Sequence, residues 1–525
     1  MRGVENVLFL VLLGAIVASF ARRLRVPAPS LLVIAGLLIG LLPGVPTVHV
    51  TPDAVSLVAL PPLLYAASEE LPWRDLRAVW RPVSVLAVGL VLASAGAVAA
   101  VAAAVSSIPA SQAFVLGSVL ASTDPVAVSA LARRLSLPPR IQALVQAESL
   151  FNDGTSLVLF QIAVALAVTG AAAHPSVTGA LLYGAWRFAV LAIGGAAVGA
   201  AVAVVVIAVR RKIIDPVLEA VVALITPYGA YVLGATLRVS PVLAVIVAGL
   251  IIGSYRGRIT TAQTRLQLHS VYQTLIFLLE SAVFGLIGLQ LPALIRGLTH
   301  SYAWPAEALA IAGTLIVTRI VWVFPLTAFF QWRGGTRPSW PVPAVVSWAG
   351  TRGVVPLAAA LSVPLVTADG APLAGRDLML VLTASVIVIS LVVQGLTLEP
   401  LARFAGIGRP AAARHEETLA QIRLAEASLA RLDELAADNL APDPVIDRVR
   451  DGLHTRIETA RTRMEGARDR GPDLPTERAV RRDLLTAENA ELARLAADGT
   501  ISETTRQRLQ RSLDLEAARL GDGER

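Results

Sequence analysis

The sequence predicts an all-α polytopic membrane protein of about thirteen transmembrane helices, built as inverted repeats with two broken helices that cross and followed by a helical cytoplasmic tail. Composition is the first ground: 55% of the 525 residues are hydrophobic and only 16% charged, well below the roughly 25% charged residues of soluble domains. The second is run length, because the apolar stretches reach the ~20 residues a helix needs to cross a ~30 Å hydrocarbon core. The third is charge placement. Through Pro410 there are 26 basic and 15 acidic residues, and from Ala411 onward 19 basic and 23 acidic. An apolar basic body therefore carries an acidic tail, and the high isoelectric point belongs to arginines beside a membrane rather than to a nucleic-acid surface. With no cysteine, disulfides, thiolate metal sites and cysteine nucleophiles are excluded.

The first span, 6–21, is followed by Arg22, Arg23 and Arg25. A cleaved signal carries its positive charge ahead of the apolar core, so this segment reads as a retained span with its N-terminus outside. Twelve more follow at 29–44, 53–70, 82–106, 111–132, 140–170, 179–209, 216–236, 240–255, 269–295, 304–330, 341–364 and 378–401. Basic clusters at Arg22/Arg23/Arg25, Arg74/Arg77/Arg81, Arg133/Arg134/Arg140, Arg210/Arg211/Lys212, Arg256/Arg258/Arg265 and Arg333/Arg337 fall in alternate loops. By the positive-inside rule those loops face the cytoplasm, the C-terminus lies there too, and the span count is odd.

A charge near the bilayer centre costs at least about 2.5–3.5 kcal/mol, so charges inside spans are functional candidates. Asp124, Glu148, Asp153, Glu280, Arg319 and Arg352 lie inside. Glu219 and Arg187 lie nearer span ends and read as snorkelling groups. In Ala121-Ser122-Thr123-Asp124-Pro125 the proline removes a backbone donor and disfavours helical geometry at Asp124. The fifth span should break there, turning freed carbonyls, the Thr123 hydroxyl and a carboxylate toward one place, as in carriers that bind cations at discontinuous helices. A second break is expected in Trp348-Ala349-Gly350-Thr351-Arg352-Gly353-Val354-Val355-Pro356, in the twelfth span. Breaks in spans five and twelve suit a repeat of spans one to six in eight to thirteen. Asp124 and Arg352, one in each break, have the signs to neutralise the exposed helix-dipole ends.

Between the breaks, Glu148-Ser149-Leu150-Phe151-Asn152-Asp153-Gly154 sorts by helical spacing. Ser149 and Asp153 share one face, Glu148 and Asn152 another. Five positions separate Glu148 from Asp153, about 140° around the helix, so the two acids should have different partners. Asp153 is the candidate for a transported ion, Glu148 for a buried pair with an arginine.

These segments resemble the monovalent cation:proton antiporters of the first cation/proton antiporter group, bacterial sodium/proton antiporters related to sodium/hydrogen exchangers. The resemblance covers roughly residues 5–404 and rests on L-P-P-L-L-Y from Leu60, S-T-D-P-V-A-V from Ser122, E-S-L-F-N-D-G from Glu148, F-G-L-I-G-L-Q-L from Phe284, S-W-A-G-T-R-G-V from Ser347 and V-Q-G-L-T-L from Val393. It implies a thirteen-span homodimer with a dimerisation part and a mobile ion-carrying core, working by alternating access. It implies that Asp153 binds cation or proton with oxygens from Thr123 and Ser149 and with Asn152 preceding it, that Asp124 supports the crossing, and that Glu148 and Arg319 form a core ion pair. Where many relatives follow the P-P-L-L-aromatic stretch with an acid, this chain has Ala66, with acids only at Glu69 and Glu70. Glu280 stands where relatives often carry an uncharged residue.

The chemistry of exchange follows. Burial and a like charge both favour the neutral form of a carboxylic acid, which lets such a group trade a proton for a metal at cellular pH. Sodium is a hard ion that takes oxygen ligands, available from Asp153, Ser149, Thr123 and freed carbonyls. Proton-loaded and cation-loaded sites carry nearly the same charge. With Asn152 unable to ionise and Glu148 paired, one carboxylate cycles, predicting electroneutral exchange of one sodium (or lithium or potassium) per proton, serving pH and sodium homeostasis. The resemblance agrees, since an asparagine–aspartate pair marks its electroneutral branch. A potassium/proton antiporter is the nearest alternative. A cation channel is more remote, since one acid cluster is not a repeated ring. An intramembrane enzyme lacks a nucleophile–base or metal constellation, as His49, His174, His269 and His300 fall near span ends or in loops, and no cofactor is called for.

The expected domains are a transmembrane exchanger over 1–404 and a cytoplasmic tail over 405–525, in a bacterial plasma membrane. The tail reads as three or four amphipathic helices separated near 439–444, 471–475 and 499–500, with His415 and His454 as surface histidines.

Overall fold

The computed structural model describes residues 12–17, 19–20, 27–42, 57–124, 139–169, 177–213, 215–260, 262–298, 303–333, 340–367, 373–406, 410–438, 442–465, 484–492, 494–495, 498, 509 and 513. It forms two compact units, Met1–Arg409 and Pro410–Arg525. Pro125, the second half of the fifth span, Arg133, Arg134, Arg337, His49, His174 and His300 lie outside the described residues.

The helices of the first unit are α1 (Ala28–Gly40), α2 (Leu60–Glu69), α3 (Trp73–Ser84), α4 (Val91–Val105), α5 (Ala110–Leu120), α6 (Pro139–Thr169), α7 (Val177–Arg210), α8 (Pro216–Thr236), α9 (Pro241–Ile259), α10 (Ala262–Gly297), α11 (Trp304–Arg333), α12 (Pro341–Trp348), α13 (Val354–Leu361), α14 (Arg376–Ile389) and α15 (Gly395–Phe404). Wider π turns, Val85–Leu90 and Ser390–Gln394, join α3 to α4 and α14 to α15. Among the described residues seven helical segments are long and apolar enough to cross a membrane, and 28–40, 110–120 and 241–257 are shorter apolar helices.

Local chemistry sets the boundaries. Asp215 caps α8 by accepting from the Val217 amide at 2.8 Å, with Pro216 at the first helical position. Ser240 and Pro241 start α9 in the same way, because the first turn leaves amides that only a side-chain acceptor satisfies and that proline lacks. One boundary differs from expectation. The fourth span was expected from residue 82, but the helix begins at Trp73 and runs through Pro82 into the π turn. Arg74, Arg77 and Arg81 therefore lie exposed on a helix rather than in a loop, while Leu76, Val79 and Val83 on its other face are buried. A proline's missing donor is tolerated where the helix can widen.

The helices pack as two bundles. One contains α1, α2 and α7–α10; the other contains α3–α6 and α11–α15. Small residues let α1 and α10 cross closely in the first bundle: a Cβ on Gly36 would strike the Gly285 carbonyl, and one on Gly288 the Val33 carbonyl. In lipid, where apolar burial gives helices little reason to associate, such close backbone approach supplies the packing energy. The bundles meet along α6 against α7 and α9, α14 against α10, and the second π turn against α1.

In the second unit, α16 (Pro410–Ala437) and α17 (Asp443–Glu465) form a helical hairpin. Ile422, Ala425, Ile457 and Ala460 make its apolar seam. Arg450–Asp433 at 3.1 Å and Arg461–Glu426 at 3.4 Å bridge it from outside. Residues 484–492 are also helical, and the expected separations near 471–475 and 499–500 lie outside the described residues.

Candidate functional site

The site forms where two helices stop inside the second bundle. Helix α5 ends at Leu120 and residues 122–124 are non-helical; α12 ends at Trp348 and α13 resumes at Val354. The breaks cross and bond to each other. The Asp124 amide donates to the Thr351 carbonyl at 2.7 Å, and the Thr351 hydroxyl donates to the Asp124 carbonyl at 3.0 Å. Unwound backbone in a membrane persists only where each freed group finds such a partner.

Arg352 is 3% exposed, and its Nη1 donates to the carbonyls of Ala121 at 2.9 Å and Ser122 at 2.5 Å, at the C-terminal end of α5. A cation there meets the negative end of the helix dipole. The Asp124 carboxylate lies against Gly353, the residue that opens α13; a Cβ there would overlap it. Glycine is required at that position by close approach, and the acid stands at the positive end of α13.

Helix α6 runs past the crossing and presents four polar side chains. Glu148 takes two hydrogen bonds from Arg319, Nη1 to Oε1 and Nη2 to Oε2, both 2.6 Å, and Arg319 also donates to the Val346 carbonyl at 3.1 Å from Nε and Nη2. The two side chains are 1% and 2% exposed. A Cβ on Gly350 would collide with the Arg319 guanidinium stem, so the second break makes room for the pair. Ser149 donates to the Thr123 carbonyl at 2.5 Å, and Asn152 Nδ2 to the Thr123 hydroxyl at 3.3 Å. Asp153, 4% exposed, accepts from the Ser122 hydroxyl at 2.5 Å. The two acids of α6 have different partners, a guanidinium for Glu148 and a neutral hydroxyl for Asp153.

The structure thus brings Thr123, Asp124, Glu148, Ser149, Asn152, Asp153, Arg319 and Arg352 together. Glu280 is not in this bundle; it lies half-buried on α10. Glu219 differs from its expected snorkelling role. It is buried and pairs with Arg210, whose Nη2 donates to Glu219 at 2.8 Å and to the Thr260 hydroxyl at 2.9 Å. Arg187 is exposed. Sequence reasoning gave no role to Ser122, Asp153's hydrogen-bond donor. The signal was present: in an unwound stretch every polar side chain needs a partner, and Ser122 adjoins Thr123 and Asp124.

Five ionisable groups meet here, the acids Asp124, Glu148 and Asp153 and the bases Arg319 and Arg352. Glu148 is neutralised by contact, and Asp124 and Arg352 stand at helix ends of matching polarity. Asp153 is left with a hydroxyl. Among the described residues buried Asn152 Oδ1 has no hydrogen-bond partner, a spare oxygen one residue from that carboxylate. Among the described residues Asp153 has a neutral hydroxyl as its hydrogen-bond donor and no touching counter-ion, the chemistry of a carboxylate that could take up one small cation or one proton.

The sequence profile of the family described as sodium/hydrogen exchanger, transmembrane, matches residues 8–404. An uncharacterized Na(+)/H(+) exchanger of Mycobacterium tuberculosis is 34% identical over 533 residues, 98% of this chain and 96% of that one. The Na(+)/H(+) antiporter ApNhaP of Aphanothece halophytica is 31% identical over 420 residues, 79% of this chain and 77% of its own. In fold, the sodium proton antiporter MjNhaP1 from Methanocaldococcus jannaschii superposes with a TM-score of 0.61 at 21% identity, over 77% of this chain and 98% of that one.

Proposed function

Because the chain belongs to the sodium/hydrogen exchanger family, we propose that it is a secondary antiporter that exchanges sodium for protons across a membrane, with Asp153 as the group that carries either ion. One observation carries the assignment to Asp153: of the two acids on α6, Glu148 is closed off by Arg319 while Asp153, among the described residues, is held by a hydroxyl alone. Sodium's oxygen ligands would be Asp153, Asn152 Oδ1 and the Ser122, Thr123 and Ser149 groups around it, in keeping with its preference for hard donors.

Charge explains coupling. With Asp153 ionised, the five groups sum to minus one; a proton or a sodium ion brings the sum to zero. The loaded site crosses the low-dielectric interior far more readily than the empty one, because an uncompensated buried charge is costly. Exchange is therefore obligatory, one proton per sodium and electroneutral. Acid-loaded proteoliposomes given external sodium should release protons, and a membrane-potential step should neither drive nor slow that release. Potential-driven current through the protein would overturn the stoichiometry.

The same reading includes alternating access by movement of the two bundles, thirteen spans with the N-terminus outside and the C-terminus cytoplasmic, an exchanger domain over 1–404 and a tail over 405–525, assembly as a homodimer in a bacterial plasma membrane, and a role in pH and sodium homeostasis. Potassium and lithium are the competing cargoes. A Bacillus subtilis relative, 29% identical over 390 residues, is named a sodium, potassium, lithium and rubidium/H(+) antiporter. Comparing proton release driven by the three cations ranks them, and sodium should lead.

A further inference from the structure

The V-Q-G-L-T-L segment from Val393 carries none of the candidate ion ligands, yet it touches both bundles. It begins inside the π turn Ser390–Gln394, where the widened backbone changes which carbonyls face outward.

On its inner side this turn grips both flanks of the second break. The Arg352 amide donates to the Ser390 hydroxyl at 3.0 Å, and that hydroxyl donates to Gln394 Oε1 at 2.7 Å. Gln394 Nε2 reaches the Trp348 carbonyl at 3.3 Å, and the Trp348 indole donates to the Thr397 hydroxyl at 2.8 Å. Trp348 is the last residue of α12 and Arg352 the arginine on α5's carbonyls. The segment thereby fixes where the break lies.

On its outer side the same turn meets α1 of the other bundle. Ser30, fully buried, donates its hydroxyl to the Leu391 carbonyl at 2.6 Å. Gly395 opens a notch for it: a Cβ there would stand 2.5 Å from Ser30 Oγ and 3.8 Å from Ser30 Cβ. A polar contact is thus made between bundles, one turn of helix from the group that holds the crossing.

We propose that Ser30 and the Leu391–Gly395 notch form a latch between the bundles, closed in this conformation and opened during transport, and that Ser390 and Gln394 are positioning residues that tie it to the Arg352-bearing break. The proposal rests on the reading that the bundles move against each other during exchange. When the latch opens, the Ser30 hydroxyl leaves the Leu391 carbonyl and the π turn moves with the break it grips, so the state of the crossing and the seating of α1 change together.

The chain contains no cysteine, so a Ser30→Cys/Gly395→Cys double variant of the full-length protein has no background thiols. The 3.8 Å Cβ separation matches the mean of about 3.8 Å in disulfides. Reconstituted in proteoliposomes, the reduced double variant should release protons on sodium addition. Oxidation, with cross-linking verified by mass spectrometry, should stop that release, and reductant should restore it. Undiminished exchange by fully cross-linked protein would overturn the latch, as would failure of a folded, active double variant to cross-link. Ser30→Ala covers the case in which the double variant does not fold. Losing one hydrogen bond from the closed state should change turnover by roughly two- to tenfold, with the apparent KM for sodium moving by a different factor and Ser30→Thr restoring both. An unchanged turnover and KM in Ser30→Ala would also overturn it. If the wild-type protein itself showed no sodium-driven proton release, the exchange reading would fall and the latch with it, whereas the outcomes above overturn the latch alone.

Discussion

The crossing and the α7–α8 hairpin use the same electrostatic device in different surroundings. At the hairpin, Arg210 ends α7 and Glu219 lies in the first turn of α8, so a base stands at a C-terminus and an acid at an N-terminus. At the crossing, Arg352 stands at the end of α5 and Asp124 at the start of α13. Both arrangements satisfy helix dipoles. In the hairpin the two charges also touch, at 2.8 Å, and cancel. In the crossing Arg352 is turned to backbone carbonyls, the Asp124 carboxylate lies against Gly353, Glu148 is consumed by Arg319, and among the described residues Asp153 takes its hydrogen bond from a neutral hydroxyl. A buried pair that closes on itself is scaffold; a set with one acid in excess can exchange ions.

The largest expected effect lies in the closed pair of the crossing. Glu148→Ala or Arg319→Ala leaves a buried charge with no counter-ion, which costs about 3–5 kcal/mol, so yield and thermal stability in detergent should collapse along with exchange. Near-normal stability in either variant would show that the pair does not hold the bundle together. Next comes the orientation of the other two charges. Because Asp124 and Arg352 face dipole ends of opposite sign, the swapped Asp124→Arg/Arg352→Asp variant should be less stable than Arg352→Ala. Rescue by the swap would mean that the two charges pair with each other rather than with the helices.

The hairpin should respond less. Glu219→Gln keeps an acceptor for Arg210 while removing the charge, a loss of about 1–3 kcal/mol, and sodium-driven proton release should persist. Abolished exchange in a folded Glu219→Gln protein would place that pair in the transport machinery. The smallest effect belongs to the tail hairpin. Arg450→Ala breaks bridges from a half-buried arginine to the exposed Asp433 and Asp447, worth at most about 1 kcal/mol. A thermal melt of the isolated change should be nearly superimposable on the wild type.

Much of this was legible from residue spacing. The i,i+4 relations on α6 separated Glu148 from Asp153, and proline and glycine marked both breaks, because those residues act through local backbone chemistry. Partner identity was less legible. Ser122, Thr351 and Gln394 are ordinary polar residues whose roles exist only once two distant breaks meet. Glu219 misled by its position, since a span end suggests snorkelling until α7 brings Arg210 beside it. The start of α3 was hidden by Pro82, whose local preference the π turn overrides. The cation specificity of the site depends on oxygen placement that spacing does not encode.

Proton exchange at the crossing turns on Asp153. Asp153→Asn keeps the side-chain volume and an acceptor for Ser122 while removing the one charge the crossing leaves uncancelled. In acid-loaded proteoliposomes given sodium, this variant should release no protons while retaining wild-type thermal stability in detergent. Residual sodium-coupled proton release from the folded variant would contradict the assignment of the exchanging group.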